Sequence, residues 1–159
     1  MELKNIYGDV IFALESPKTV LELVTAARAA KADLYGSSLD GASLDGASLN
    51  GASLNRANLD RASLYGASLY GALIDGKPIV TLRVFSGLYK YTVQAVLFQD
   101  GSRWVRMGCL WKSLAEWEAV EIRKSNTSEF PDDGSDCSEA RAAAFEFARA
   151  AALRLKENQ

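Results

Sequence analysis

The stretch ADLYG-SSLDG-ASLDG-ASLNG-ASLNR-ANLDR-ASLYG-ASLYG-ALIDG, residues 32–76, decides the fold of this chain. It consists of nine units of five residues, and the central residue of every unit is leucine, except for Ile74 in the last unit. A small residue, alanine or Ser37, lies two positions before each central residue. A period of five that persists over so many units indicates one repetitive architecture rather than a series of separate elements.

The period of five excludes both regular secondary structures. In an α-helix, five steps of about 100° would leave successive leucines about 140° apart, so they would spiral around every face. In a flat strand, an odd period would alternate the leucines between the two faces. A chain that turns one corner per unit can instead direct every leucine and every small residue toward a common axis. Four corners close one coil, so nine units predict about 2.25 coils and a stack roughly 11 Å tall.

Nearly every unit matches the pattern A-[DN/S]-L-x-x, and in this the chain resembles the pentapeptide-repeat family. The resemblance covers 45 of 159 residues and implies a right-handed, four-sided β-helix. The wider arrangement, with a strand and helix before the repeats and a strand region ending in Glu116-Trp117 after them, is similar to small pentapeptide-repeat proteins of phage genomes. So short a stack cannot close its own ends, and we expect the flanking segments to cover them.

The segment before the repeats, residues 1–31, is expected to form an N-terminal cap. Val10–Leu14 reads as a short strand, and Ser16-Pro17 followed by the capping box Thr19-x-x-Glu22 starts a helix that runs to about Ala30. One face of this helix is apolar at helical spacing and fits a lid on the first coil; its residues are Val20, Leu23, Val24 and Ala27.

Residues 77–125 are expected to form an antiparallel three-stranded sheet and a helix. The strands are Ile79–Phe85, Tyr89–Phe98 and Arg103–Leu110, and the helix follows the capping box Ser113-x-x-Glu116 to about Arg123. Its sheet-facing residues are Leu114, Trp117 and Val120, and Trp104, Trp111 and Trp117 are assigned to the core of this region.

An acidic linker, residues 126–138, leads to a C-terminal amphipathic helix, residues 139–159, that is expected to pack on the sheet or on a partner. One stripe of this helix is apolar and the opposite one carries arginines: Phe145, Ala148, Ala152 and Leu155 against Arg141, Arg149 and Arg154. The predicted fold class is therefore α+β, mainly β, with all segments in one compact unit.

Composition argues against catalysis. Histidine is absent, which removes the side chain best suited to proton transfer near neutrality and the commonest metal ligand. We find no pair of residues to propose as catalytic, no metal site and no cofactor. Cys109 and Cys137 are far apart and are expected to be free thiols, Cys109 buried in a strand.

The 18 basic and 20 acidic side chains nearly balance, so nothing in the bulk charge attracts nucleic acid or an anionic membrane. No apolar run approaches the roughly 18 residues of a membrane span, and Met1–Gly8 lacks the apolar core of a signal peptide. We expect a cytoplasmic protein that does not bind nucleic acid directly.

The outer surface of the repeats carries two kinds of candidate partner-binding residues. Residues twenty apart should stack, so Asp40 would lie under Asp60, and Asp45 under Tyr65. Acids on this surface would resemble DNA phosphates, as the likeness to fluoroquinolone-resistance pentapeptide proteins implies; the alternative is that they are ordinary solvent-facing side chains. The candidates of the first kind are Asp40, Asp45, Asp60 and Asp75, and those of the second are the possible aromatic anchors Tyr65 and Tyr70.

Charge density limits the extent of DNA mimicry. Duplex DNA carries one charge per about 1.7 Å, or about six over the height of this stack. The repeats have five acids, including Asp33, against Arg56 and Arg61, which is a net charge of −3. The acids of the linker could extend the surface, or they could belong to a solvated loop. They are Glu129, Asp132, Asp133, Asp136 and Glu139.

These observations predict a non-enzymatic inhibitor, encoded by a phage or mobile element, that blocks a nucleic-acid-binding protein through an acidic surface. The expected partner is a CRISPR effector, a restriction enzyme or a topoisomerase, and the expected state is a monomer or dimer. One alternative is a structural module that oligomerises through the end of the β-helix or the C-terminal helix. Another is a protein that binds and protects DNA gyrase.

Overall fold

A computed structural model of the chain describes residues 1–130 and 133–156. The chain divides into two compact units, Met1–Thr81 and Leu82–Gln159. Most of its elements are strands or isolated β-bridges, and three α-helices accompany them. The fold is therefore mainly β with helices, as the sequence predicts.

The first unit begins with two short strands, β1 (Glu2–Lys4) and β2 (Val10–Ala13), which pair antiparallel. The helix α1 (Val20–Ala29) follows, and the Thr19 side chain accepts a hydrogen bond of 3.1 Å from the Glu22 amide at its start. Of the four residues predicted to form a lid, Leu23, Val24 and Ala27 are buried and Val20 is half-buried. The prediction missed β1, because an alternation of only three residues is too short to give a strand signal.

The repeats form coils of twenty residues. Backbone amides donate to carbonyl oxygens nineteen residues later, for example Leu44 to Ser63 at 2.8 Å, and amides of the later coil donate back, for example Ser63 to Ala42 at 2.9 Å. Parallel bridges join residues twenty apart at four places along the coil. They are Ser38 with Asn58, Ser43 with Ser63, Ser48 with Ser68, and Ser53 with Leu73. Four five-residue units therefore make one coil, which confirms the predicted stacking.

The central leucines converge inside this stack. Each of the eight, from Leu34 to Leu69, exposes at most 5% of its surface, and the alanines that line the axis from Ala42 to Ala72 are buried as well. Ile74, in the last unit, is half-buried. Burial of every leucine in the series is the arrangement that the period of five requires.

Each unit turns through a hydrogen-bonded corner. The carbonyl of a central leucine accepts from the amide three residues later, for example Leu44 from Ala47 at 3.0 Å. The residue before that amide has a positive φ, which suits glycine at the third position of such a turn. Glycine occupies seven of the nine corners, whereas Arg56 and Arg61 occupy two with φ of 57°.

The flanking segments satisfy backbone groups at both ends of the stack. At the first coil, the amide of Ser38 donates to the Lys4 carbonyl at 2.7 Å, and the amide of Ile6 donates to the Gly36 carbonyl at 2.8 Å. At the other end, β3 (Leu73–Ile74) pairs with β4 (Lys77–Phe85). Ile79 of β4 exchanges bonds of 2.8 Å with Gly71 and Ala72. Both coil ends are thus covered from within the first unit, as expected.

The second unit contains an antiparallel sheet. The end of β4 from Leu82 onward, β5 (Val93–Phe98), β6 (Arg103–Met107) and β7 (Leu110–Ser113) follow one another in chain order across it. The prediction of three strands was wrong, because Arg103–Leu110 was taken as one strand. Gly108, with φ of 59°, breaks it, and the turn at Gly108-Cys109 leads back into β7.

Two helices and a short 3-10 turn complete this unit. The helix α2 (Leu114–Ala119) begins with the predicted capping box of Ser113 and Glu116, and a 3-10 turn, Ile122–Lys124, follows where a longer helix was predicted. The last helix, α3 (Asp136–Arg154), starts three residues earlier than predicted because Ser135 caps it.

Helix α3 packs on β5 and β6 through its apolar stripe. Phe145, Ala148 and Ala152 are buried, as is Leu155 just past the helix end. Arg141 was predicted on the opposite, solvated side, and this was wrong: only 3% of its surface is exposed. Its guanidinium hydrogen bonds to backbone carbonyls explain how a charge can be buried there, and they depend on tertiary contacts that helical spacing cannot reveal.

Aromatic packing in the second unit follows the prediction in part. Trp117 is fully buried and donates from Nε1 to the Val105 carbonyl at 2.8 Å. Trp104 and Trp111 are half-buried and stack near Phe98, with 5.3 Å between their own ring centroids. Cys109 was expected inside a strand, but it lies in the turn between β6 and β7 and its thiol is exposed.

No helix in residues 1–130 and 133–156 is long and apolar enough to cross a membrane.

The leucine ladder can be tested with Leu54→Ala, which removes a buried side chain from the middle of the stack. We expect the free energy of unfolding of the coil to fall by about 2–4 kcal/mol, because a cavity is left among close-packed neighbours. Ser48→Ala, at an exposed coil position, should change it by less than about 0.5 kcal/mol. Urea denaturation followed by circular dichroism measures both, and equal effects would contradict the inward ladder.

Candidate functional site

The outer surface of the stack is built by the residue that follows each central leucine. In the series Asp40, Asp45, Asn50 and Asn55, each side chain lies below the coil that comes twenty residues later. Asp45 Oδ1 accepts from the Tyr65 amide at 2.9 Å and also from the Ser63 hydroxyl. Asn50 Oδ1 accepts from Ser68 Oγ at 2.7 Å, and Asn55 Oδ1 from the Gly76 amide at 2.8 Å.

This series shares an acceptor oxygen rather than a charge. Aspartate occupies the first two of these equivalent positions and asparagine the next two, and both residue types present an oxygen to the coil above. Three of the four acids predicted on this surface differ in their surroundings. Asp45 joins two coils through its hydrogen bonds. Asp60 is half-buried, and Asp75 is exposed near the end of the stack. Solvent exposure alone does not identify which acids serve a partner.

Asp40 is paired with Arg61 from the coil above. Arg61 Nε donates to Asp40 Oδ1 at 3.0 Å, and Nη2 donates to Oδ2, so the contact is bidentate. This hydrogen-bonded pairing raises the pKa of Arg61 above its ordinary value. The stacking of Asp40 below Asp60 is confirmed by the hydrogen bond from the Gly41 amide to the Asp60 carbonyl, but Arg61 lies beside both acids.

In the sequence analysis, Arg56 and Arg61 count only as positive charges that reduce the net negative charge of the repeats. Both occupy corners with positive φ, a conformation that costs a non-glycine residue about 1 kcal/mol or more. Arg61 pairs with Asp40, and the Arg56 guanidinium lies 5.9 Å from the ring centroid of Tyr35. The sequence does mark these two residues, because theirs are the only two of the nine units that do not have glycine in the fifth position.

Tyr65 and Tyr70 are the most exposed aromatic side chains of the repeats, with 87% and 61% of their surface accessible. They lie one unit apart, on neighbouring sides of the second coil. The Tyr65 backbone is held by Asp45, so the ring projects from an ordered support. The structure therefore leaves the rings of both predicted aromatic anchors open to solvent, on consecutive units of the stack.

The acids predicted to extend this surface belong to the second unit. Glu129 Oε1 accepts from Lys90 Nζ at 2.8 Å and from the Tyr91 hydroxyl, and these bonds lower the pKa of Glu129 to about 2. Glu139 forms a bidentate pair with Arg123. A run with no basic residue in sequence thus acquires basic partners in space.

The remaining linker acids have local roles or fall outside the described residues. Asp133 accepts from the Ser135 amide at 2.9 Å, which lowers the pKa of Asp133. Asp136 lies in the first turn of α3, where a negative charge complements the helix dipole. Asp132 lies outside the residues that the structure describes. Within those residues, no group of three or more Asp, Glu, Cys or His side chains could hold a metal ion.

Comparison with known families identifies the repeats. The pentapeptide-repeat family matches residues 25–56 and 37–76, with eight copies of the repeat. Residues 25–76 are pentapeptide repeats. The two matches together span 25–76, about one third of the 159 residues, and they include the whole series of central leucines. No curated protein and no solved structure matches the chain.

Within the pentapeptide repeats, the acceptor role of Asp45 can be separated from its charge. Asp45→Asn keeps an oxygen for the Tyr65 amide, so we expect stability close to wild type. Asp45→Ala removes the acceptor and should lower the free energy of unfolding by about 1 kcal/mol. Chemical denaturation of both variants measures the difference. If Asp45→Asn is as unstable as Asp45→Ala, the carboxylate charge matters and the acceptor interpretation is wrong.

The Glu129 ion pair predicts how the second unit responds to acid. Because the pKa of Glu129 is lower in the folded state than its ordinary value of about 4.3, the pair stabilises the fold above about pH 4. That stabilisation is lost as the pH falls from about 4 to about 2. We expect Glu129→Gln to reduce the loss of thermal stability over this interval, measured by calorimetry, whereas Glu146→Gln at an exposed position of α3 should not.

Proposed function

We propose that this pentapeptide-repeat protein binds another protein through the outer surface of its second coil, with Tyr65 and Tyr70 as the anchors. The observation that carries the proposal is the exposure of both rings, 87% and 61%, on neighbouring units of an ordered stack. Tyrosine supplies a large, rigid contact area at low entropic cost and is enriched among the residues that dominate binding energy. Two such rings left in water on adjacent units favour an interface.

A binding role agrees with the family. Pentapeptide repeats are consistent with protein-interaction modules, and proteins that contain them are generally structural or interaction proteins rather than enzymes. We infer a non-enzymatic function for this chain on the same basis. We further propose that the stacked coils adopt the right-handed, four-sided β-helix typical of the family, since four units per coil fit four sides.

The partner that we propose is a cytoplasmic nucleic-acid-binding protein, such as a CRISPR effector, a restriction enzyme or a topoisomerase. A phage or mobile element would gain from blocking such a protein. Asp60 and Asp75, which flank the two tyrosines in sequence, would imitate a few phosphates of a nucleic acid. Asp40 contributes less, because Arg61 already pairs with it.

Because the coil carries a net charge of only −3, charge would set the rate and specificity of association, and the tyrosines most of the affinity. The mimicry would therefore be short, over a few base pairs at most. An extended rod-like imitation of duplex DNA, which gyrase protection requires in this family, is poorly supported by a stack of about 2.25 coils.

The alternative of oligomerisation receives less support. The backbone groups at both coil ends already bond to β1, its following loop and β4 within one copy. Phe145, the residue whose exposure would favour association through α3, is buried against the same copy. Assembly through the coil ends or through Phe145 would first require these contacts to be broken.

The proposal is tested by affinity capture with the tagged full-length protein from cells that contain one candidate partner at a time. With an identified partner, Tyr65→Ala and Tyr70→Ala should each weaken binding by about tenfold or more, as loss of an interface anchor does. Ser48→Ala provides the matched control at an exposed position of the first coil. Calorimetric titration measures the affinities, and circular dichroism checks that each variant keeps its fold.

The contribution of charge is tested on the same complex. Asp75→Asn should weaken the complex and reduce its dependence on salt, since surface charges are screened beyond about 10 Å at 0.1 M ionic strength. If both tyrosine variants bind as well as wild type, the coil surface is not the interface. If salt has no effect on a complex that the tyrosines do control, the mimicry part of the proposal fails alone.

A further inference from the structure

A cavity of about 190 Å³ lies in the second unit, apart from the coil surface. It is surrounded by the loop before β5, the turn between β6 and β7, residues 126–130 and α3. The proposed protein-binding function makes no use of this cavity. The described residues in its wall include Tyr89, Tyr91, Cys109, Leu110, Phe130 and Arg141.

Three aromatic rings form one side of the cavity. The ring centroids of Tyr89 and Tyr91 are 5.8 Å apart with their planes at 84°, and Phe130 lies 6.0 Å from Tyr89 and 6.4 Å from Tyr91. These are edge-to-face distances, at which the rings support one another. Gly108 backs Tyr91 closely, because a Cβ at that position would come within 3.1 Å of the ring. The aromatic wall is therefore held in place by its surroundings.

Arg141 supplies a buried cation. Nη1 donates to the carbonyls of Ile122 at 2.7 Å and Ser125 at 2.8 Å, and Nη2 donates to Ser125 Oγ at 2.9 Å. All three acceptors are neutral, and only 3% of the residue is exposed. Burial lowers the pKa of Arg141. A guanidinium has five N–H donors, so these bonds leave two, on Nε and Nη2, without a hydrogen-bond partner among the described residues.

The acid in the cavity wall is already committed. Glu129 accepts from Lys90, Tyr91 and Asn126, and the Lys90 ammonium also lies 5.0 Å from the centroid of the Tyr91 ring. The Arg141 guanidinium lies 5.0 Å from the centroid of the Phe130 ring. An ammonium ligand would need a free carboxylate or free ring faces. The Glu129 carboxylate and the Tyr91 and Phe130 rings each already engage a cation of this chain, so the arrangement favours an uncharged ring with an anionic group over a positively charged ligand.

We propose that this cavity binds a small aromatic carboxylate, with its ring against Tyr89, Tyr91 and Phe130 and its carboxylate toward the free N–H groups of Arg141. A planar ring matches the aromatic wall, and a carboxylate matches a guanidinium that is buried without an acidic hydrogen-bond partner. The size is suitable, since an apolar cavity of about 150 Å³ accommodates benzene. A bare inorganic anion would leave the aromatic wall without contact.

Cys109 allows a direct test. Both cysteines are exposed, but only Cys109 is part of the cavity wall, so Cys137 is an internal control. We expect benzoate, with a Kd on the order of 1 mM for so small a ligand, to slow alkylation of Cys109 by iodoacetamide about tenfold at about 10 mM. Alkylation of Cys137 should be unchanged. Peptide mass spectrometry of the full-length protein measures both rates, independently of any protein partner.

Two other probes test the chemistry of recognition. Benzamide keeps the ring without the charge, and acetate keeps the charge without the ring. Each probe should need a concentration at least about tenfold higher than that of benzoate to slow the alkylation of Cys109 to the same extent. Equal protection by benzamide would refute recognition by Arg141, and equal protection by acetate would refute the role of the aromatic wall. Absence of protection by benzoate at this concentration would refute the proposal as a whole.

Variants place the ligand in the cavity. Leu110→Phe should abolish protection, because the larger side chain fills the space while Arg141 keeps its contacts. Arg141→Lys should weaken protection about tenfold, since lysine lacks the planar fork. Should Arg141→Lys fail to fold, because Ile122 and Ser125 lose their donor, Leu110→Phe still decides the question. Full protection in folded Leu110→Phe would contradict binding in this cavity.

Discussion

The convergence of the central leucines on one axis is the constraint on which the first unit depends. Every leucine can reach this axis only if the chain turns a corner every five residues, and each corner of this stack places one residue at a positive φ. The backbone between corners then has its amides and carbonyls directed along the stack, where the coil twenty residues away satisfies them. The apolar axis and the hydrogen-bonded layers therefore require each other, and neither would persist in an isolated coil.

This constraint also decides what the outward side chains do. A side chain that follows a leucine in the first coil lies beneath backbone and side-chain donors of the second, so an acceptor oxygen is useful there. In the second coil, Asn55 still has a repeat unit above it, the one that ends at Asp75-Gly76. The later positions that follow a leucine in this coil have none. Tyrosine, which offers no such acceptor at short range, is found at Tyr65 and Tyr70. Because no repeat lies above Tyr65 and Tyr70, neither position needs an acceptor oxygen for a further coil. Tyr35 in the first coil and Asp60 in the second show that the end of the stack does not by itself determine the residue type.

Much of the fold is predictable from sequence, because its decisive signals are local and periodic. The leucine ladder, the twenty-residue stacking, the α2 capping box and the apolar stripe of α3 all come from spacings within one element. The errors come from interactions across elements. β1 is recognisable only through its pairing with β2, and β7 only through the reversal at Gly108. Arg141 looks like a solvated residue on a helical wheel, yet Ile122 and Ser125 accept its donors.

The candidate site shows the same limit for charge. Counting acids along the sequence treats Asp40, Asp45 and Glu129 as equivalent negative charges. The contacts make them different, because Asp40 is paired with Arg61, Asp45 serves as an acceptor between coils, and Glu129 is held by Lys90. A charge engaged within the protein offers less to a partner, since the partner must compete with the existing contact. In the interface that we propose, recognition would therefore depend more on the exposed rings than the number of acidic residues suggests.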